Sequence, residues 1–204
     1  TKISTEDDGQ SITLTTSDND ITFSSTTNAG SAGDTLDVDT GTGDLTFTGA
    51  VGGSTALGNI TIDTAGLTAA AIKLQGTLDI TNSAASSITG VISNGASAAS
   101  LTKAGAGTLT LSGTNTYTGA TTISGGIIAI SDAVGLGTTD GATTVDSGAA
   151  LYISGGITVA EPINISGTGV SSGGAIRFTA NNNTYSGAIT LGATSSIVSN
   201  SGQQ

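Results

Sequence analysis

Six aspartates crowd between residues 18 and 44: Asp18, Asp20, Asp34, Asp37, Asp39 and Asp44. They are its best candidates for side-chain chemistry, and that chemistry would be binding of a hard cation through oxygen. Asp37 and Asp39 flank Val38, so on a β-strand both point outward on one face. Asp18-Asn19-Asp20 has the composition of a turn. Stacked in register, Asp18, Asp20, Asp37 and Asp39 would converge on a calcium site; left apart, they are solvated acids that keep the protein soluble. The calcium-binding pattern Gly-Gly-x-Gly-x-Asp is absent. No cofactor other than this possible calcium is expected.

Other reactive constellations are excluded by residue type. The chain has no His and no Cys, which removes Ser-His-Asp and Cys-His nucleophiles, thiolate metal sites and disulfides. None of Lys2, Lys73 and Lys103 follows a glycine, so there is no Gly-Lys-Ser/Thr phosphate loop. Glu161 and Arg177 are the nearest approach to a glycan-cleaving pair, and their separation along the chain puts them on different faces or rungs of a repetitive fold. No catalytic residue is assigned and the chain is not expected to be an enzyme. Thr-x-Thr pairs at Thr13/Thr15, Thr46/Thr48, Thr108/Thr110 and Thr116/Thr118 could form water-ordering ladders, but their spacing is irregular and β-propensity accounts for them.

The elements that must position these groups are strands. Of 204 residues, 32 are Gly and one is Pro; charged residues make up 9% and aromatics 3%, while 36% are hydrophobic. That hydrophobic share, set in strict alternation, argues against disorder. Pairs of apolar residues flank one polar residue at Ile12/Leu14, Ile21/Phe23, Leu36/Val38, Leu45/Phe47, Ile60/Ile62, Ile72/Leu74 and Leu78/Ile80. They continue at Leu109/Leu111, Ile128/Ile130, Leu151/Ile153, Ile157/Val159, Ile163/Ile165, Ile176/Phe178 and Ile189/Leu191. Period two means a strand with one buried face. Gly- and Asn-rich turns follow each pair, and no stretch sustains a helical period.

Self-similarity selects the architecture. GAGTLTLSGTNTYTGATTIS at 105–124 returns as GGAIRFTANNNTYSGAITLG at 173–192, which sets Tyr117 against Tyr185 and Leu109 against Ile176. The repeat is about 67 residues long, and three coils of about 22 residues fill it, the dimension of a solenoid rung. The expected fold is all-β: a right-handed parallel β-helix of about nine rungs and roughly 45 Å. Asn115 and Asn183, each two residues before a tyrosine, are the expected corner asparagines that bond turn backbone.

Residues 101–126, LTKAGAGTLTLSGTNTYTGATTISGG, closely resemble the autotransporter-associated β-strand repeat of bacterial autotransporter passengers. The stretches 18–25 and 43–63 resemble coils of filamentous-haemagglutinin-like exoproteins. The resemblance implies two continuous stretches of solenoid, haemagglutinin-like coils over 1–100 and autotransporter-repeat coils over 101–204. It also implies a structural and adhesive module of an exported bacterial surface protein. The alternatives are a self-assembling subunit of an extracellular filament or sheath, then a glycan-active enzyme.

Partners follow from charge and from open ends. The formal charge is −11, and a chain this acidic is repelled by phosphate backbones and anionic lipid, so no nucleic acid is expected. Thr1 opens without the pattern of a signal peptide, and no apolar run approaches the roughly 20 residues of a membrane span. Unpaired strands at the end coils, near Ile12–Phe23 and Ile189–Ile197, invite head-to-tail stacking with another copy or with neighbouring coils of a longer chain. Glu6-Asp7-Asp8 could oppose pairing at the first end; Asn200–Gln204 could not. A cell-surface glycan or protein is the other expected partner.

Overall fold

The computed structural model describes residues 11–200. These residues form parallel strands stacked into a solenoid, with one 3-10 turn at Val170–Ser172 as the sole helical piece among them. The first nine-stranded sheet runs Ser11–Thr15, Thr35–Asp39, Ile60–Thr64, Thr77–Asn82, Ser100–Ala104, Thr121–Ile123, Thr143–Val145, Ile163–Gly167 and Ile189–Ser195. The second runs Ile21–Phe23, Leu45–Phe47, Leu67–Ala69, Ser86–Ile88, Thr108–Leu111, Ile127–Ile130, Ala150–Ile153, Ile176–Phe178 and Ile197–Ser199. A third side carries only short pairings, Ile72–Leu74 with Ile92–Asn94 and Thr158–Val159 with Thr184–Tyr185.

Each strand of the two large sheets pairs with its counterpart one coil away. In the first sheet the register passes from Ile12 to Leu36, Ile60, Leu78, Leu101, Thr121, Thr143, Ile163 and Ile189. The steps are unequal, shortest from Ile60 to Leu78 and longest from Ile163 to Ile189. On average a turn takes about 22 residues, the rung length anticipated from the repeat. The repeat itself spans three coils: Leu109 stacks on Ile128, Ile128 on Leu151 and Leu151 on Ile176.

The core follows from the alternation. Leu36, Val38, Leu45, Phe47, Ile60, Ile62, Leu109, Leu111, Ile128, Ile130, Leu151, Ile153, Ile163 and Ile165 are all buried. Phe23 and Phe47, register partners on adjacent coils, stack with ring centroids 4.7 Å apart. Hydroxyls just past the strand ends reinforce the ladders. Thr48 gives both its backbone N–H and its Oγ1 proton to the Phe23 carbonyl, and Ser124, Ser154 and Thr179 do the same to Lys103, Ile130 and Ile153.

The outermost coils depart from the sequence expectation. Ile189 and Leu191, expected inside, are exposed, Leu191 at 62%. Ile12, Leu14 and Ile21 are only partly covered. An inward residue needs a coil on both sides to lose its water-accessible surface, and among the described residues these have one. Glu6-Asp7-Asp8 and Ser201–Gln204 lie outside the described residues.

Candidate functional site

The aspartates take separate posts. Asp18 Oδ1 accepts the Thr42 N–H at 3.0 Å, and this bond holds its carboxyl below the usual carboxylate range. Asp20 Oδ1 accepts the Asp44 N–H at 2.8 Å. Asp39 Oδ1 accepts the Gly41 N–H at 2.9 Å. Asp34 is buried and caps its own turn, its Oδ2 accepting from Gly30 and Ser31. Asp37 lies between Thr13 and Thr61 in the register, and Asp39 beside Asp63. The carboxylates therefore cap their own turns, tie turns to the next coil or line the outer face of the first sheet. Among the described residues no three His, Cys, Asp or Glu side chains come together as a metal cluster.

The two residues considered for glycan chemistry are on different surfaces. Glu161 is buried inside the solenoid, whereas Arg177 stands in register with the part-exposed Tyr152 on the second sheet. Its guanidinium carbon lies 5.6 Å from the Tyr152 ring centroid, and its Nε donates to Asn200 Oδ1.

Polar groups occupy the interior where sequence reading did not place them. One inner corner of the first sheet is a column of Thr40, Thr64 and Asn82. Thr40 Oγ1 meets Thr64 Oγ1 at 2.8 Å, and Asn82 Nδ2 donates to Ser86 Oγ at 2.9 Å and to the Ala84 carbonyl. In the next coil the corner is Gly105, at φ +76, where a Cβ would collide with the Asn82 carbonyl. Lys103, buried in the column of Ile80 and Ile123, supplies the polar group instead. Its ammonium donates to the carbonyls of Ala104, Gly105 and Gly125. Desolvation brings its pKa down to about 8.

In the coils that follow, the apolar column is interrupted by Thr121 and Thr143, register partners and both fully buried. Thr121 Oγ1 donates to the Leu136 carbonyl and lies 2.6 Å from the buried Tyr117 hydroxyl, which therefore donates to it. Thr143 Oγ1 donates to Glu161 Oε1 at 3.3 Å, while Glu161 Oε2 has no partner among the described residues. Burial pushes the Glu161 carboxyl up to about 7. Tyr185 donates to the Glu161 backbone carbonyl at 2.7 Å.

The expected corner asparagines are in place. Asn115 Oδ1 accepts the Ile92 N–H at 2.8 Å, and its Nδ2 donates to the Gly135 carbonyl at 2.7 Å, so one side chain clasps three successive coils. Asn183 Oδ1 accepts from Gly156 and Ile157, and its Nδ2 donates to the Ala180 carbonyl. Both asparagine side chains thus satisfy turn backbone.

The segment holding Lys103, Asn115, Tyr117 and Thr121 also carries the family likeness. Residues 101–130 match the family model of the passenger-associated-transport-repeat. No curated protein and no solved structure matches the chain. No helix among the described residues is long and apolar enough to cross a membrane, and the repeat suggests an exported protein. The repeat and the parallel β-solenoid around it together fit an autotransporter passenger β-helix.

Proposed function

We propose that the chain is a mechanical and adhesive segment of a bacterial surface protein, a stiff rod that holds its loops out for contact and extends end to end with further coils. The carrying observation is the pair of nine-stranded parallel sheets running unbroken through the described residues, with the passenger-type repeat at their middle. Parallel ladders and a continuous apolar core resist bending and deny a protease the extended, unpaired backbone it needs. Negative-stain imaging of the purified chain tests this. Separate rods about 40 Å long, from eight coil steps of about 4.8 Å, support it; compact spheres would overturn it.

A filament subunit is the second reading, favoured by the exposed Ile189, Leu191 and Ile197 of the last described coil. An end-on contact between copies is heterologous and can propagate without closing. Filaments in the same images that disappear in an Ile197→Lys variant support this reading over isolated rods.

A further inference from the structure

We infer that Tyr152, Arg177 and the overhanging loop Gly167–Ala175 form a binding notch for a carboxylate-bearing sugar. This rests on the adhesive reading above and gives it a site. Arg177 is the chain's only arginine. Of the six Phe and Tyr side chains, Tyr152 alone stands at an outward strand position of the second sheet, between the inward Leu151 and Ile153. The two are register partners on adjacent coils.

The outward column that contains them changes character along the rod. It begins with hydroxyls at Thr22, Thr46, Thr68, Ser87 and Thr110, then becomes Ala129, Tyr152, Arg177 and Val198. On the coil before, the register partner of Tyr152 is the small Ala129, and on the coil after, the Arg177 guanidinium lies by its ring.

The guanidinium is held but not satisfied. Its Nε goes to Asn200 at 3.1 Å, and neither Nη meets a carboxylate or carbonyl among the described residues. The Tyr152 hydroxyl is likewise without an intramolecular partner there. The loop closes one side of the notch. A Cβ placed on Gly173 would stand 3.2 Å from Arg177 Nη1, tighter than an ordinary contact, and 3.7 Å from the Tyr152 hydroxyl, so the loop packs beside both groups and glycine spares the guanidinium a clash. Ser171 and Ser172, both exposed or nearly so at the loop tip, are held at φ +49 and +59, a conformation costly for a residue with a Cβ. Backbone bonds from Gly173 to Val170 and from Gly174 to Thr168 brace them.

Guanidinium, phenol and serine hydroxyls make a donor-rich surface beside one aromatic ring. That set suits a ring bearing many hydroxyls and one carboxylate. An anion is repelled less here than at the other end. Residues 101–204 carry 4 acidic and 2 basic residues, a net of −2, against −9 for residues 1–100.

The test is titration of the whole chain by NMR or calorimetry with trigalacturonate, 3′-sialyllactose, neutral lactose and a glutamate-containing peptide. Binding of either acidic saccharide, with lactose and the peptide at least about tenfold weaker, supports the notch, and the two acids separate uronate from sialate sources. Arg177→Gln should weaken binding about tenfold by removing charge-assisted bonds. Tyr152→Phe should retain more affinity than Tyr152→Leu, with melting temperatures of all three variants near that of the parent. Equal binding of lactose, preference for the peptide, undiminished binding by a folded Arg177→Gln chain, or no saccharide binding by intact rods would each overturn the inference. Failure of the rods to form in images is a separate result, which strikes the structural reading instead.

Discussion

The coils before and after residue 100 share one wall and differ in where they put polarity. In the first sheet, the inward column from Ile12 to Leu78 and its neighbour from Leu14 to Ile80 are apolar throughout. Outside them Asp37, Asp39, Asp63 and Asp79 line the same sheet. In the later coils the outer ladder positions Thr102, Thr122 and Thr144 are uncharged. The inner columns instead take in Lys103, Thr121 and Thr143, with Glu161 beside them. One backbone ladder tolerates both arrangements because parallel pairing satisfies its N–H and C=O groups regardless of side chain. The difference teaches that a solenoid's stability is set largely by the column, while its response to pH is set by the few ionisable groups a column admits.

The largest expected effect checks that both regions rely on the same columns. Leu36→Ala and Leu111→Ala should each lose about 2–5 kcal/mol in urea denaturation, since both leucines are buried between two coils. Leu191→Ala, at an exposed position, should change stability by about 0.5 kcal/mol or less. A large loss at Leu191 in a monomeric sample would show that the last coil is covered.

Glu161, in the later coils, should make stability fall as pH rises toward neutrality. Its folded carboxyl keeps its proton up to about 7, whereas the unfolded chain releases it near 4.5. The folded state therefore holds more protons in that window, and stability falls as pH rises through it, by about 2–3 kcal/mol in total. Glu161→Gln should flatten the fall, as read from urea midpoints between pH 4 and 8; an unchanged slope would mean that Glu161 is not its source.

Lys103 acts in a different window with the opposite sign. The folded ammonium gives up its proton near 8 and the unfolded one near 10.5. Between these the unfolded chain binds more protons, so stability rises with pH. Lys103→Met, measured against the parent from pH 7 to 10.5, should lose that rise. At pH 7 it leaves three carbonyls short of a donor, at a cost of about 1–3 kcal/mol.

The smallest effect belongs to the outer acids. Asp39 and Asp63 are register partners on adjacent strands, so Asp63→Asn should stabilise by about 0.2–0.5 kcal/mol at low salt. The gain should vanish at high salt, where exposed charges are screened. A gain that survives high salt would mean repulsion is not its origin.

The alternation at Leu109/Leu111, Ile128/Ile130 and Leu151/Ile153, with the recurrence of Asn-Thr-Tyr, was enough to read strands, coil length and three coils per repeat. Those features are local or periodic, and period two has only one structural meaning. Asn115 and Asn183 were legible as corner residues because turn chemistry is local too. Lys103 was harder. Its place two residues after Leu101 points inward, but its charge argues for solvent, and the carbonyl of Gly125 that helps hold it comes from the next coil. Glu161, next to Pro162, carries no sequence sign of burial, and its hydroxyl partner Thr143 comes from the preceding coil.

By itself, then, the sequence determined the class of fold, the direction the alternating apolar strand residues face and the absence of His- or Cys-based chemistry, because each depends on residue type and spacing along the chain. Only the tertiary structure decided which aspartates stay apart, which ionisable groups enter the core and that Tyr152 meets Arg177. Those outcomes depend on register between coils of unequal length, from the short step between Ile60 and Leu78 to the long one between Ile163 and Ile189. Register is settled when columns, corners and backbone ladders are satisfied together.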